Sequence, residues 1–118
     1  MPSTPDRSAG LLAEIERACA QVRLYLEGFD RDAFLLDPRT QDAVLMQLIV
    51  IGEAANALGA QVLAEAPEIA WARIISLRNR IAHGYDEVDR ARIWDLCEEH
   101  LSALEQAIAR MLTERGEI

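Results

Sequence analysis

The fold of this chain is decided by residues 37–58, which read DPRTQDAVLMQLIVIGEAANAL. An acid followed by proline is typical of a helix start, because Asp37 can cap the free N–H groups and Pro38 has no N–H that needs a partner. From Val44 to Ile51 the helix would be apolar on nearly every side, which indicates burial by several neighbours. The segment therefore predicts the central helix of a helical bundle.

Apolar residues recur at helical spacing on both sides of this segment, and no stretch shows the alternation that is typical of a strand. Caps, prolines and glycines set the predicted ends of the elements. The first helix has Ser8 as its N-cap and ends near Gly28, and a helix of one or two turns follows between Asp30 and Leu36. The central helix runs from Pro38 to Leu58 or Leu63. The next helix is opened by Pro67 and Glu68 and ended by Gly84 in the left-handed conformation, and the last helix is capped by Asp89 and closed by Gly116.

Four substantial helices with short connections predict an all-α fold, an up-and-down four-helix bundle with an extra short helix. A length of 118 residues is enough for one domain with one core. We expect a flexible tail over residues 1–8 and the bundle domain over residues 9–115. The central helix is apolar on more than one side and would leave surface for a partner helix, so a homodimer is expected.

The cysteines and the hydropathy pattern predict the compartment. Cys19 and Cys97 fall on apolar faces of separate helices. No signal peptide is recognisable, and charged or polar residues interrupt every apolar run before it reaches the length of a membrane span. We therefore expect a cytoplasmic protein without membrane association, with reduced and buried thiols and without a metal site or a cofactor.

A cluster of polar side chains ends the helix before the last, in the sequence LRNRIAHGYD of residues 77–86. Asn79 and His83 are four residues apart and share a helix face. Arg78 is five residues from His83, about 140° around an ideal helix, so it can join the imidazole at one phosphate only through its long side chain or a distorted helix end. Tyr85 follows the helix end, on a turn that solvent can reach.

These residue types are suited to cleaving RNA, whose 2′-hydroxyl is a built-in nucleophile beside each phosphodiester. His83 could serve as acid or base, while Arg78, helped by Arg80, could stabilise charge on the phosphorane. Asn79 could orient the imidazole or the ribose. The route needs no metal and predicts a 2′,3′-cyclic phosphate and a 5′-hydroxyl. Glu53 has two readings, a structural ion pair or a carboxylate that orients a motif arginine.

The order Arg78-Asn79 to His83, followed by Tyr85, resembles the Arg-x4–6-His motif of the HEPN superfamily. The His-x-Tyr extension resembles the HepT toxin branch of that superfamily. The segments IGEA at residues 51–54 and DEVD at residues 86–89, with Trp94 after them, are similar to the same family, and the resemblance covers most of the chain.

The resemblance implies a metal-independent endoribonuclease toxin in which Arg78 and His83 are catalytic. It implies a homodimer whose two motifs face one another across a cleft. It also implies an MntA-like minimal nucleotidyltransferase as antitoxin, which inactivates the toxin by transferring AMP to Tyr85.

The net charge of −8 is unfavourable for binding RNA. Five arginines gather around the motif, so we expect a local groove instead of a broad basic face. Two alternatives stay open: a non-catalytic accessory subunit that binds nucleotide or substrate for a nucleotidyltransferase, and a purely structural dimerisation module. The five arginines are Arg73, Arg78, Arg80, Arg90 and Arg92.

Overall fold

The chain is an all-helical bundle in the computed structural model, which describes residues 6–117. Within this part of the chain there are six α-helices, one 3-10 turn and no strand. The helices are α1 (Ser8–Leu26), α2 (Arg31–Leu35), α3 (Pro38–Leu58), α4 (Ala60–Leu63), α5 (Trp71–His83) and α6 (Arg90–Glu114), and the 3-10 turn is Tyr85–Glu87.

The helix α3 lies at the centre of the packing. It contacts α1 on one side and α5 on the other, and α6 packs against α1. The short helix α2 lies between α3 and α6. The prediction of an all-α bundle with an extra short helix is confirmed, and the predicted homodimer stays a prediction.

The core is built mainly from α1, α3 and α6, whereas α5 contributes only Trp71 and Ile81 to the buried residues of its own span. At the end of the bundle where α2 meets α6, the rings of Phe34 and Trp94 pack with their centroids 5.5 Å apart. The largest fully buried side chains in the described residues are Phe34, Leu12, Ile15, Leu45, Ile81, Ile93, Ile108, Met111, Val22, Val44 and Cys19. Burying each large apolar side chain stabilises the fold by about 1.5–3 kcal/mol.

Aspartates begin three of the helices, as the sequence predicted for α3 and α6. The Asp37 carboxylate accepts the N–H of Thr40 at 3.2 Å, and Pro38 occupies the first turn of α3. Asp89 accepts from the first N–H groups of α6, and Asp30 caps α2 in the same way. Each cap satisfies a donor that has no partner within its helix, which fixes where the helix starts.

Two predicted helix starts are wrong. Ser8 is the first residue of α1 and not its N-cap, because its N–H donates to the Asp6 carboxylate at 2.9 Å. Residues 1–5 of the predicted tail lie outside the described residues, and the tail over residues 1–8 and the domain over residues 9–115 stay predictions. Pro67 does not open α5, which begins at Trp71, because the Trp71 indole N–H donates to the Ala66 carbonyl at 3.0 Å and holds the intervening residues in a turn.

Two glycines determine how helices α3 and α5 end. Gly59 ends α3 at Leu58 with a φ of 84°, which a side chain would strain, so the residues towards Leu63 form the separate helix α4. Gly84 has a φ of −144° and is not left-handed, so that prediction is wrong. Instead its N–H donates to the Arg80 carbonyl at 2.9 Å and the chain passes directly into the 3-10 turn.

Both cysteines are buried, as the sequence predicted. Cys19 and Cys97 are free and buried, and burial raises the pKa of the Cys19 thiol to about 12 and that of Cys97 to about 11. No helix within residues 6–117 has both the length and the apolar character needed to cross a bilayer.

Candidate functional site

The backbones of α3 and α5 approach most closely where Gly52 faces Arg78. A Cβ atom on Gly52 would lie 2.2 Å from the Arg78 Cβ and 2.8 Å from its Cγ. Such contacts are far inside van der Waals distance, and the Arg78 Cβ cannot move away without moving the α5 backbone. Only glycine at residue 52 therefore lets the stem of Arg78 lie against α3.

The Arg78 guanidinium is held by one residue from each helix. Its Nη2 donates to Glu53 Oε1 at 2.9 Å, and its Nη1 donates to Asn79 Oδ1 at 2.8 Å. Its Nε is buried and has no partner within the described residues. Arg78 is 32% exposed and Glu53 is 57% exposed, so the ion pair faces solvent while the stem is fixed. An incoming phosphate would have to compete with Glu53 for the guanidinium edge.

The remaining residues of the predicted site are exposed along the last two turns of α5. Asn79, Arg80 and His83 all face solvent, and the Asn79 amide oxygen is engaged by Arg78. The helix stays α-helical through His83, so Arg78 and His83 are separated by roughly 7.5 Å along the axis and about 140° around it. The structure brings Arg78, Glu53 and Asn79 together, and it does not bring His83 to them through a distorted helix end.

Tyr85 is held in the 3-10 turn by contacts with two helices. Its hydroxyl donates a hydrogen bond to Asp42 Oδ1 on α3. The Arg90 guanidinium lies over the ring at 5.1 Å from the centroid and donates to the Tyr85 carbonyl at 2.9 Å and the Val88 carbonyl at 2.6 Å. The hydrogen bond to the Asp42 carboxylate, with a smaller contribution from burial, raises the pKa of the Tyr85 phenol.

Sequence reasoning missed Asp42 and did not assign Arg90 to Tyr85. A signal for Asp42 was present, because it lies eleven residues before Glu53, about three helical turns, on the same face of α3. That face carries one acid at each end of the site, Asp42 for Tyr85 and Glu53 for Arg78. Between them Met46 is 57% exposed, a high value for an apolar side chain.

The charge around the motif is opposite to that of the whole chain. Residues 73–92 contain five arginines and three acids, a local charge of +2 with His83 neutral, against −8 overall. Arg73, Arg80 and Arg92 are exposed. Within residues 6–117 no three His, Cys, Asp or Glu side chains are grouped so that they could hold a metal ion.

Comparison with known proteins gives relatives along most of this chain. A relative from Thermococcus cleftensis, named "Probable ribonuclease HepT", is 29% identical over 79% of this chain and 84% of its own length. One from Caldanaerobacter subterraneus, named "Putative RNase", is 25% identical over 86% of this chain and 90% of its own length. A third, a "Putative RNase" from Methanocaldococcus jannaschii, is 37% identical over 55% of this chain. The chain spans about half of that relative's length.

No solved structure matches the chain significantly. The family model described as ribonuclease HepT-like matches residues 15–111, a span that runs from the buried Ile15 on α1 to Met111 on α6 and includes Gly52, Arg78, His83 and Tyr85. The chain therefore belongs to the HepT-like ribonuclease family.

Proposed function

We propose that this protein is a metal-independent endoribonuclease toxin of a toxin–antitoxin system, acting in the cytoplasm. Membership of the HepT-like family supports ribonuclease chemistry. The observation that carries the proposal is the fixed Arg78, whose stem lies against Gly52 and whose guanidinium is held by Glu53 beside a solvent-facing surface. A guanidinium that stabilises charge and an exposed imidazole that transfers a proton are suited to RNA cleavage through the 2′-hydroxyl, and Arg78 and His83 supply these two groups from one helix.

In the proposed reaction, Arg78 binds a phosphodiester and stabilises charge on the phosphorane, and exposed Arg80 adds a second cation. His83 transfers the proton, either from the 2′-hydroxyl or to the leaving 5′-oxygen. Asn79 holds the guanidinium in place through its amide oxygen. Glu53 positions Arg78 in the free protein and yields the guanidinium edge to the phosphate.

The separation of Arg78 from His83 within one chain supports a homodimeric site. If two protomers face each other through α3 and α5, the arginine of one lies across a cleft from the histidine of its partner, and the positive charge of residues 73–92 is doubled. Both helices have apolar side chains that are partly exposed and could form such a contact. These are Leu48, Ile49 and Val50 on α3 and Ile74, Ile75 and Leu77 on α5. Light scattering after size exclusion should show a dimer, and a monomer at every concentration would remove this step.

The proposed off-switch is AMP transfer to Tyr85 by an MntA-like nucleotidyltransferase antitoxin. Tyr85 is 38% exposed and lies two residues beyond His83, so a nucleotide on its phenol would add an anion beside the site. The anion would neutralise arginine charge and the adenosine would occupy space that RNA needs. Tyr85→Phe should therefore stay toxic in the presence of the antitoxin, with intact mass showing AMP additions on the wild type alone.

A non-catalytic accessory subunit of a nucleotidyltransferase is the second candidate, and one observation favours it. The helix α5 stays regular through His83, which keeps the imidazole about 140° around the helix from Arg78, so the guanidinium can hold a phosphate without an imidazole beside it. Binding needs the arginine but no proton transfer. The two functions therefore differ in their need for His83.

Cleavage of RNA by His83→Ala, in the presence of a metal chelator, tests the proposed function. We expect a loss of about 10²–10⁴-fold, because a positioned acid or base contributes that much. His100→Ala is the matched control, since His100 is an exposed histidine on α6 beside Glu99. The wild-type products should carry 2′,3′-cyclic phosphate ends. Equal cleavage by wild type and His83→Ala would reject the catalytic role of His83, and absence of cleavage by the wild type would favour the accessory subunit.

A further inference from the structure

The Tyr85 phenol and the Asp42 carboxylate form a contact between two elements that the proposed ribonuclease reaction does not use. Asp42 is exposed on α3, and Tyr85 lies in the 3-10 turn after α5. The phenol donates a hydrogen bond to Asp42 Oδ1. A carboxylate in hydrogen-bond contact with a hydroxyl has the geometry of a general base and its nucleophile.

The rest of the turn holds the phenol in this position. Arg90 fixes the ring from above at 5.1 Å and anchors the carbonyls of Tyr85 and Val88. The Gly84 N–H donates to the Arg80 carbonyl and the Glu87 N–H to the Gly84 carbonyl, each at 2.9 Å. The charged groups facing the phenol are therefore Asp42 from α3 and Arg90 from α6. The backbone and the ring are both held, so the hydroxyl stays beside the carboxylate.

We propose that Asp42 is the general base that accepts the Tyr85 proton when a nucleotidyl group is transferred to the phenol. The inference rests on the proposed function, in which Tyr85 is the acceptor. The bond from the Tyr85 oxygen to the α-phosphorus of a nucleoside triphosphate forms, and the bond from that phosphorus to the bridging oxygen breaks. Pyrophosphate leaves with its electron pair, and the phenolic proton passes to the Asp42 carboxylate and then to solvent.

A base is needed because the phenol is protonated near neutral pH. The hydrogen bond to Asp42 raises the pKa of Tyr85 above its ordinary value of about 10, so the tyrosinate is scarce before the reaction begins. The proton must then leave as the new bond forms. Protein kinases use an aspartate in this way, to accept the proton of the substrate hydroxyl during phosphoryl transfer. The charge of Arg90 beside the ring also favours the anionic product.

Transfer rates to the full-length protein test the inference. The acceptor would be wild type, Asp42→Asn, Asp42→Glu, Tyr85→Phe or the control Asp32→Asn, which removes an exposed acid from α2. The probe is a purified MntA-type nucleotidyltransferase with ATP and Mg²⁺, and intact mass measures the product. We expect Asp42→Asn to lose about 10²-fold at neutral pH, the lower end of general-base contributions, while Asp42→Glu retains most of the rate.

The pH profile separates a base from a contact that only positions the phenol. The ratio of wild-type to Asp42→Asn rates should fall as the pH rises towards the ionisation of the phenol, because tyrosinate needs no base. Using the ratio cancels the pH dependence of the transferase itself. Thermal melting of each variant checks that it is folded.

Three outcomes contradict the inference, and they are distinguishable. Equal rates for wild type and Asp42→Asn at every pH reject the base outright. A ratio that stays large but does not change with pH rejects proton transfer and leaves Asp42 as a positioning residue only. Absence of any modification of the wild type removes the acceptor role of Tyr85, and with it both the proposed off-switch and the base.

Discussion

The layer of α1, α3 and α6 and the edge helix α5 are built in opposite ways. The buried residues of α1 and α6 form a stripe along each helix, seven on α1 and nine on α6, whereas α5 buries only Trp71 and Ile81. All the predicted site residues except Glu53 belong to α5 or the turn after it. The difference teaches that the buried core and the predicted site belong to separate helices, and that they meet where Gly52 faces Arg78.

The largest effect should come from truncating the packed layer. Ile108 on α6 is fully buried, so Ile108→Ala should lower the free energy of unfolding by about 2–5 kcal/mol. Ile75→Ala on α5 is the matched control, because Ile75 is only partly buried, and it should cost clearly less. Urea denaturation of both variants measures the difference. Equal losses would show that α5 is packed as tightly as α6 and would break the comparison.

Replacing Gly52 tests the point where the two regions meet. Gly52→Ala should lower stability by about 1–3 kcal/mol, as overpacking does, and should also displace Arg78 and reduce RNA cleavage. Gly10→Ala is the matched control on α1, since a Cβ there meets nothing within 4 Å and alanine favours a helix. Urea denaturation and cleavage assays measure both effects. A Gly52→Ala variant with wild-type cleavage would show that the Arg78 stem need not be fixed.

Much of the fold could be predicted because its signals are local. The aspartate caps at Asp37 and Asp89 act within one turn of the chain, and both are confirmed. The start of α5 depends instead on the Trp71 indole reaching the Ala66 carbonyl, a contact that spacing rules do not describe. The end at Gly84 was placed correctly, but its conformation follows from the 3-10 turn after it.

The candidate site could likewise be predicted only as far as local sequence signals describe it. The orienting role of Glu53 was one of two readings, and the structure places its carboxylate on Arg78, which leaves the catalytic roles as predictions. The spacing of Asp42 and Glu53 showed only that they share a face of α3, and the contact of Asp42 with Tyr85 depends on how the turn after α5 lies against that face. The proposed convergence of Arg78 and His83 across two protomers stays a prediction, because no local pattern in one chain describes it.

A smaller effect is expected when the Glu53 charge alone is removed. Glu53→Gln keeps the shape of the side chain, and its pair with Arg78 is largely exposed, so stability should change by less than about 1 kcal/mol. The rate of RNA cleavage should fall by about 10-fold, the lower end of the losses seen when supporting groups are replaced. Glu99→Gln, an exposed acid on α6 beside His100, is the control. A large loss of stability with unchanged cleavage would make Glu53 a structural residue.

The smallest effect is a shift in the ionisation of one phenol. In a Tyr25→Phe background, Tyr85 is the single remaining tyrosine, and the ultraviolet absorbance of tyrosinate reports its titration. Asp42 raises the pKa of Tyr85, so Asp42→Asn should lower it, because the amide can still accept the hydrogen bond but carries no charge. The direction of this pKa shift also determines how the contact between Tyr85 and Asp42 contributes to stability at each pH. The hydrogen bond of the neutral phenol stabilises the fold fully below the unfolded-state pKa of about 10, and this contribution is lost as the pH rises through the higher folded-state value. An identical titration in both proteins would mean that the phenol does not contact Asp42 in solution, and the turn after α5 would then be free of α3.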